Sequence, residues 1–345
     1  MRHPVTAGTS SEPAGAQGGQ SASAEAGAML SILGALAAVR TAASPARDTL
    51  VPCGGWTKTG PVDPVNVNAT FHITSTAPPY VLCLREGQAV DEYVKRHGRW
   101  MDCDPLQKLM RREKGVFVDV GANIGTCSMM MASLGHRVVS FEPTPPTFVA
   151  LAAALAGNAP SPSWDVRLVN AGVSNESGAA VIQTQPGNAG GALTTGRSEQ
   201  GEVHSSAFQF AVPRKFAIHN GWQKYQISLT TLDEAVHEHV DLMKLDCQGH
   251  ELRALQGGWN LINNLGVDIM RLEFFPTGIR QVGDDPVALL RFLDEAGYRL
   301  FTQESETTHP VPPSSFAQFA HKFRDGYIDL VAYASERRET KKHRY

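Results

Sequence analysis

The sequence predicts an α/β protein built on a doubly wound, mostly parallel sheet. From Gly115 onward, short runs rich in β-branched residues alternate with Ala/Leu-rich helical segments, which is typical of βαβ units. The first of these runs leads into a glycine-rich turn, as in folds that bind nucleotides at the edge of such a sheet. With 345 residues, of which 42% are hydrophobic, the chain can form one large domain with appended segments.

Four segments are predicted. Residues 1–49 are rich in Ala, Gly and Ser and form a leader that is disordered or serves in targeting. Residues 50–112 form an N-terminal cap, residues 113–335 the α/β domain, and residues 336–345 a solvated basic tail. The cap and the insertion described below are the two parts that the βαβ pattern does not explain.

The leader contains the apolar run 26–39. It is too short to span a bilayer, which needs about 20 residues. Its length suits the apolar part of a signal peptide, but the charged region that should precede it is almost absent. A signal peptide and a short helix both remain open, and with them a cytoplasmic or secretory location and any membrane association.

Charge and cysteine content limit the partners. A net charge of -3 gives no reason to expect nucleic acid binding. The five cysteines include no C-x-x-C pair, so no metal site is predicted. Cys53, Cys83 and Cys103 precede the glycine-rich turn, and a disulfide among them and free buried thiols are both compatible with the sequence. The sequence does not determine the oligomeric state.

The first half of the domain follows from apolar runs. Val116–Val120 is almost continuously apolar, as expected for a strand covered on both faces. Helix Ile124–Leu134 follows, and Arg137–Phe141 forms the second strand. Phe148–Ala156 is rich in Ala and Leu and is predicted to form a helix, which the Gly-Asn pair that follows would end. Val166–Val173 is predicted to form the third strand.

The second half begins after an interruption. Asn175–Leu229 is rich in Gly, Gln and Ser and is predicted to be an insertion of loops and hairpins. The alternation then resumes with strand Val240–Leu245 and helix Glu251–Asn263. The predicted core face of that helix consists of Leu252, Leu255, Trp259 and Ile262. The last elements are strand Val267–Phe274, helix Pro286–Ala296 and a terminal hairpin of Tyr298–Thr302 with Tyr327–Ala334.

The glycine-rich turn is the first candidate for a functional site. Gly121, Asn123 and Gly125 follow the first strand, where glycines let the backbone approach a ligand. Glu142 ends the next strand, about 20 residues further on, where an acid can accept the hydroxyl groups of a ribose. The pattern therefore predicts a cofactor that contains a ribose.

Asp119 distinguishes between two such cofactors. A carboxylate two residues before the first glycine would repel a pyrophosphate, but it suits the cationic amino group or sulfonium of S-adenosylmethionine. Asn123 also replaces the middle glycine of a dinucleotide-binding turn, and its side chain would crowd a pyrophosphate. S-adenosylmethionine is the predicted cofactor. A nicotinamide-dependent oxidoreductase and a turn that closes an empty crevice are the alternatives.

Five short motifs in order resemble the FkbM-type family of class I S-adenosylmethionine-dependent methyltransferases. The resemblance runs from about Gly115 to Phe301, over half of the chain. The motifs are Asp119–Thr126, Phe141–Pro143, Asn170–Gly172, Thr231–Asp233 and Lys244–Glu251.

This resemblance implies a seven-stranded sheet with the last strand antiparallel, and methylation of hydroxyl groups on sugars, lipids or polyketides. The acceptor would thus be a small molecule or a glycan. Capping of a turn is the alternative role for Asn170, which ends the third strand. The resemblance places Asp119, Gly121, Asn123 and Gly125 around the methionine part of the donor, Glu142 at its ribose, and Asn170 near its adenine.

The fourth strand leads into the candidate catalytic residues Asp246, His250 and Glu251. Methyl transfer to oxygen requires alignment of the reactants and is helped by a base, for which histidine has a suitable pKa. For His250 and Glu251, capping of the following helix is the alternative. Gln248 stands where the family usually has glutamate. Either this change weakens catalysis and leaves a binding module, or the amide oxygen replaces a carboxylate oxygen as an acceptor.

Two further features have open interpretations. Glu273 and Phe274 end the fifth strand and are candidates for the acceptor site, although a buried strand end explains them equally well. The glycine-bearing segment Gly187–Gly191 resembles a loop that family members carry, and it could form a lid over the donor or a plain hairpin tip.

Overall fold

A computed structural model describes residues 56–57, 65–66, 69–158, 164–185, 187–197, 223–304 and 307–335. The predictions for the leader, residues 1–49, and for the tail, residues 336–345, lie outside these ranges. Within them, none of the helices is both long and apolar enough to cross a membrane.

The cap precedes the main sheet and consists of short paired strands and two helices. Its buried side chains Leu82 and Leu84 belong to the same apolar cluster as Phe117 and Leu151 of the following domain. The cap therefore shares a core with that domain. In chain order its elements are β1 (Trp56–Thr57), β2 (Val65–Asn66), β3 (Ala69–Ile73), β4 (Val81–Arg85), α1 (Ala89–His97), the 3₁₀ turn Met101–Cys103 and α2 (Asp104–Leu109).

The rest of the chain alternates between strands and helices. The strands are β5 (Val116–Val120), β6 (Arg137–Phe141), β7 (Val166–Val169), β8 (Gly172–Val173), β9 (Gly178–Gln185), β10 (Asn188–Arg197), β11 (Gln223–Thr230), β12 (Val240–Leu245), β13 (Val267–Phe274), β14 (Tyr298–Glu304), β15 (Thr307–Pro310) and β16 (Ile328–Ala334). The helices are α3 (Thr126–Ser133), α4 (Pro145–Asn158), α5 (Leu232–Ala235), α6 (Glu251–Gln256), α7 (Pro276–Gln281), α8 (Pro286–Glu295) and α9 (Phe316–Lys322).

The central sheet has eight strands in the order β15-β14-β16-β13-β12-β5-β6-β7. From β13 to β7 all neighbours are parallel, whereas β16 runs antiparallel to both β13 and β14. This confirms the predicted doubly wound, mostly parallel fold. Four strands have the predicted bounds, because their apolar runs are buried on both faces: β5, β6, β12 and β13.

The region after the second strand differs from the prediction. The predicted third strand is divided at Asn170 and Ala171, so that only Val166–Val169 stays in the central sheet. Gly172–Val173 joins a second, four-stranded sheet in the order β10-β9-β11-β8. The region predicted as an insertion of loops and hairpins thus provides a second sheet, whose buried face includes Ile182 and Ile227.

The end of the chain follows the prediction in part. Strands β14 and β16 pair antiparallel as predicted. They are not a direct hairpin, since β15 and α9 lie between them in the sequence. Because β15 adds an edge strand, the sheet has eight strands where the family resemblance implied seven.

The predicted helix Glu251–Asn263 is interrupted. α6 ends at Gln256, a turn follows, and the chain continues into a π-helical segment, Leu261–Gly266. The turn needs a glycine, since a Cβ on Gly257 would lie 2.0 Å from the carbonyl oxygen of Ser174. The break changes the direction of the following side chains, and Trp259 is 53% exposed. Its predicted place in the core is wrong, whereas the other three predicted core positions are buried.

A disulfide joins the cap to the domain. It links Cys103 to Cys127, at the start of α3, over a sequence separation of 24 residues. Cys83 is disulfide-bonded as well, and Cys247 is a free thiol. The sequence analysis considered only cysteines upstream of the glycine turn and missed Cys127, because the packing of the cap against α3 is a tertiary contact.

Replacing both Cys103 and Cys127 by serine is expected to lower the free energy of unfolding by about 3 kcal/mol, because the unfolded chain gains the freedom that a loop of this length had lost. Urea denaturation without reductant measures this difference. In the presence of a thiol reductant the difference between variant and wild type should nearly vanish. A loss below about 1 kcal/mol without reductant would contradict the expectation.

Candidate functional site

Two neighbouring cavities open at the carboxyl ends of the parallel strands, where doubly wound sheets bind their ligands. The larger has a volume of about 420 Å³ and the smaller about 140 Å³. Both are lined by Gly121, Asn123 and Asp246, so they meet at the glycine turn and the end of β12. The sequence analysis had placed the site at this edge.

The glycine turn is tightly enclosed. Gly121 has a φ of +82°, and a Cβ there would lie 1.9 Å from the carbonyl oxygen of Asp246. Its N–H donates to the carbonyl of Phe141 at 3.0 Å. Gly125 has a φ of +87° and faces Leu151, while Asn123 has a φ of 51°. The turn is therefore fixed between the ends of β6 and β12, and only glycine fits at its first position.

Glu142, the predicted ribose ligand, lines the larger cavity. Its Oε2 accepts from the N–H of Asn123 at 3.0 Å, and its Oε1 accepts from the N–H of Thr144 at 2.8 Å. Burial raises the pKa of Glu142, and these backbone donors oppose that shift. Since each carboxylate oxygen has two lone pairs, both can accept a further hydrogen bond from a ligand.

Asp119 does not have the position expected from its place in the sequence. Its side chain is fully buried and lines neither cavity. Its carboxylate accepts from Ser128 Oγ at 2.6 Å and from Lys244 Nζ at 3.3 Å. The expected open negative charge at the turn is thus neutralised inside the protein. The carboxylates that do line the larger cavity on these strand ends are Glu142 and Asp246.

Lys244 is the residue that the sequence analysis missed. Its Nζ also donates to the carbonyl of Gly121 at 3.0 Å and lies 3.5 Å from Asp246 Oδ2. Burial alone would lower the pKa of Lys244, but the carboxylates of Asp119 and Asp246 raise it, and the net direction is upward. A charged residue within the buried strand β12 was a readable signal, because parallel pairing with β5 sets it beside Asp119.

Asn170 lies at the end of β7 and lines neither cavity. Its Nδ2 donates to the carbonyl of Glu142 at 2.8 Å, which is the turn-holding role given as the alternative. Its predicted role near the adenine stays a prediction. The far wall of the larger cavity is instead apolar and comes from the second sheet and from Ala171, which precedes it. The residues of the second sheet there are Val173, Ala180, Ile182, Ile227 and Leu229.

Gln248 connects two carboxylates. It has a φ of 52°, and its Nε2 donates to Asp246 Oδ1 at 2.9 Å and to Glu273 Oε2 at 3.0 Å. One of the two alternatives left open by the sequence was that the amide oxygen acts as an acceptor, whereas the contacts of Gln248 in the structure are made by its amide nitrogen. A glutamate at this position would bring three carboxylates together. Burial, followed by Asp246 and Glu251, raises the pKa of Glu273 to about 9.

Glu251 and His250 differ in position. Glu251 is fully buried, lines neither cavity, and accepts from the N–H groups of Cys247 and Gly249 at 3.1 and 3.2 Å. Burial raises the pKa of Glu251 to about 7. His250 lines the larger cavity, and burial together with Arg253 lowers its pKa to about 4. Glu251 therefore holds the turn before α6, and His250 faces the ligand space as a neutral imidazole.

The predicted Gly187–Gly191 segment begins at the tip of the β9–β10 hairpin. The carbonyl of Gly187 accepts from the N–H of Ala89, the first residue of α1, at 2.9 Å. The tip thus contacts the cap. A lid function stays a prediction.

Comparison with known proteins identifies relatives. Residues 119–300, more than half of the chain, match the sequence model described as the methyltransferase FkbM domain. This confirms the resemblance carried by the five motifs. Methyltransferase sdnD of Sordaria araneosa is 27% identical over 185 residues, which cover 47% of this chain and 68% of sdnD.

Solved structures align as well, and two of them are examples. One is a methyltransferase FkbM from Methylobacillus flagellatus, with 13% identity and a TM-score of 0.37. The aligned region covers 64% of this chain and 44% of that one. The other is the magnesium protoporphyrin IX methyltransferase of Synechocystis with bound SAH, with 13% identity, a TM-score of 0.33, and coverage of 72% and 83%.

Lys244→Met is expected to lower the free energy of unfolding by about 3–5 kcal/mol, because it leaves the buried carboxylate of Asp119 without its partner. Adding Asp119→Asn should recover about 1–3 kcal/mol, since the uncompensated charge is then gone. Urea denaturation of the two single variants and the double variant measures the coupling. Additive losses would show that the two side chains do not interact.

The pH dependence of stability tests the burial of Glu251. A folded pKa of about 7 against an ordinary value of 4.5 means that the folded state binds more protons between these values, so wild-type stability falls as pH rises through this window. Glu251→Gln removes this loss, and its stability relative to wild type should rise by up to about 3 kcal/mol from pH 4.5 to 7.5. Exposed Glu113→Gln is the control, and equal behaviour of both variants would contradict the assignment.

Proposed function

The chain belongs to the FkbM family of methyltransferases, and on this premise we propose that it transfers the methyl group of S-adenosylmethionine to a hydroxyl group of a small molecule or glycan. The observation that carries the proposal is the position of Glu142. Its carboxylate lies beside the glycine turn, lines a cavity of about 420 Å³ and retains lone pairs for the two hydroxyl groups of a ribose.

The walls of the larger cavity fit the three parts of the donor. Glu142 suits the ribose, and the apolar residues of the second sheet, among them Ile182 and Leu229, suit the adenine. Asp246, where the two cavities meet, suits the positively charged methionine end. Asp119 contributes indirectly, because it holds Lys244, which donates to the carbonyl of Gly121 in the turn that would hold this end.

In the proposed reaction the acceptor lies in the smaller cavity, opposite the donor. The bond between the acceptor oxygen and the methyl carbon forms as the bond between sulfur and methyl breaks, which turns the sulfonium into a neutral thioether. The enzyme aligns the two reactants, since such a displacement requires an in-line approach. Glu142 and the glycine turn fix the donor side of this alignment.

The hydroxyl proton needs an acceptor within the site. Asp246 lies where the two cavities meet and is the base that we propose. Its orientation is fixed by Gln248 Nε2 at 2.9 Å and by Lys244 Nζ at 3.5 Å. His250 lines the donor side, and its pKa of about 4 makes it a neutral imidazole that holds a proton poorly at neutral pH, so it contributes a polar wall and is not the proposed base. Glu251 holds the turn between β12 and α6, because its carboxyl oxygen accepts from the N–H groups of Cys247 and Gly249.

Calorimetric titration with S-adenosylhomocysteine tests the donor. The wild-type protein should bind it and should not bind NAD, while Glu142→Ala should bind it at least about tenfold more weakly, because a buried acceptor of the ribose hydroxyl groups is lost. Glu113→Ala, an exposed acid outside both cavities, is the control. Thermal unfolding establishes that the variants are folded.

Preference for NAD would favour an oxidoreductase instead. Tight binding of S-adenosylhomocysteine without transfer to any acceptor would favour the weakened binding module. Unchanged affinity in folded Glu142→Ala would remove the ribose assignment.

A further inference from the structure

The smaller cavity has a marked imbalance of charge. Its lining includes four carboxyl groups and two cations. Glu273, with a pKa of about 9, is protonated at neutral pH, which leaves three negative and two positive charges on the lining. The carboxyl groups come from the cap, from the ends of β12 and β13, and from β16, so the imbalance belongs to the cavity and not to one loop. The carboxyl groups and cations of the lining are those of Asp102, Asp246, Glu273, Asp329, Lys244 and Arg271.

Both cations are already engaged by the protein. Lys244 is shared between Asp246 and Asp119, which lies just outside the cavity. When Asp119 is counted with the lining, four carboxylates face two cations, an excess of two negative charges. Arg271 Nη2 contacts Asp329 Oδ2 at 2.5 Å, and its Nε donates to Gln303 Oε1 at 2.9 Å. An anionic ligand would therefore compete with an internal carboxylate for the charge of either cation. The cavity offers a ligand mainly hydrogen-bond acceptors and negative charge.

The titration behaviour of the lining groups agrees with this geometry. Burial and then Asp246 raise the pKa of Glu273. A neighbouring carboxylate thus acts in the same direction as burial. Lys244 and Arg271 do not compensate all the carboxylates in and beside the cavity, which are those of Asp102, Asp246, Asp329 and Asp119.

The donor does not remove the excess. S-adenosylmethionine carries one net positive charge, on its sulfonium, because its amino and carboxylate groups cancel. One negative charge in excess remains for the acceptor. Two aromatic rings, the half-buried Trp100 and the exposed Tyr327, also line the cavity, and aromatic faces attract cations.

We propose that the smaller cavity selects a hydroxyl acceptor that also carries a protonated amine, as in an amino sugar or an amino alcohol, and rejects acceptors that carry phosphate or carboxylate. This inference rests on the proposed function. The amine is a recognition group and not the methylated atom, since a protonated nitrogen has no lone pair. Like charges brought together in a partly buried site cost affinity, which is the physical basis of the rejection.

Three matched acceptors test the proposal: the methyl glycosides of glucosamine, glucose and glucuronic acid, which differ by one charged group each. Transfer from labelled S-adenosylmethionine gives kcat/KM for each. The amine should exceed the acid by at least about tenfold, with the neutral sugar between them. Equal or better methylation of the acid, or no methylation of the amine, overturns the proposal.

A charge variant identifies the cause. Asp102 lies on the exposed 3₁₀ turn of the cap and lines the cavity, so Asp102→Asn should reduce the preference for the amine severalfold and leave affinity for S-adenosylhomocysteine unchanged. Asp104→Asn is the matched control, because Asp104 pairs with Arg99 and lines neither cavity.

An unchanged preference in Asp102→Asn would overturn the charge argument. Failure to bind S-adenosylhomocysteine at all would overturn the proposed function itself, which distinguishes the two failures.

Discussion

The ammonium group of Lys244 holds together the parts of the chain on which both cavities depend. It contacts the carboxylate of Asp119 on β5, the carbonyl of Gly121 in the turn, and the carboxylate of Asp246 after β12. A buried charge is tolerated only when its partners are close and well oriented, so each contact constrains the other two. The close approach of Gly121 to the backbone of Asp246 lies at the same point, where β5 and β12 pair.

The same constraint extends to the edge of the smaller cavity. Asp246 is bonded to the amide of Gln248, which is bonded in turn to Glu273 at the end of β13. A network of side chains therefore crosses three neighbouring strands, β5, β12 and β13. Its members, in order, are Asp119, Lys244, Asp246, Gln248 and Glu273. In such a network the amide of Gln248 bridges the carboxylate of Asp246 and the carboxyl group of Glu273, which gives glutamine a structural role at this position.

The sequence predicted element bounds most accurately for strands that are buried on both faces. Strands such as Val116–Val120 are apolar on both faces, and their bounds could be predicted because few other structures bury such a run. Glu142 and the glycine turn were placed correctly because the carboxyl ends of parallel strands meet at one edge. Asp119 was placed at the same edge, but its burial depends on Lys244, a partner 125 residues away that only strand register reveals.

The features that could not be predicted depend on contacts between distant segments. The second sheet is built from a polar, glycine-bearing segment whose buried face is small, so its periodicity was weak. Trp259 is exposed because Gly257 approaches the backbone of Ser174, and nothing in the spacing of the helix shows that approach. The pairing of Cys127 with Cys103 likewise depends on how the cap packs.

That cystine has a practical meaning for anyone who handles the protein. Cys127 and Asp102, the residue before Cys103, both line the smaller cavity, and Cys127 lies in the first turn of the helix that follows the glycine turn. In a sample stored in a thiol buffer this disulfide would be reduced to two thiols, whereas in a sample exposed to air it would stay intact. The two samples would therefore differ in whether the wall of the smaller cavity at Cys127 is covalently linked to the cap. Acceptor selectivity measured on the reduced sample need not equal that measured on the oxidised sample, so the redox state of this disulfide should be known whenever selectivity is compared.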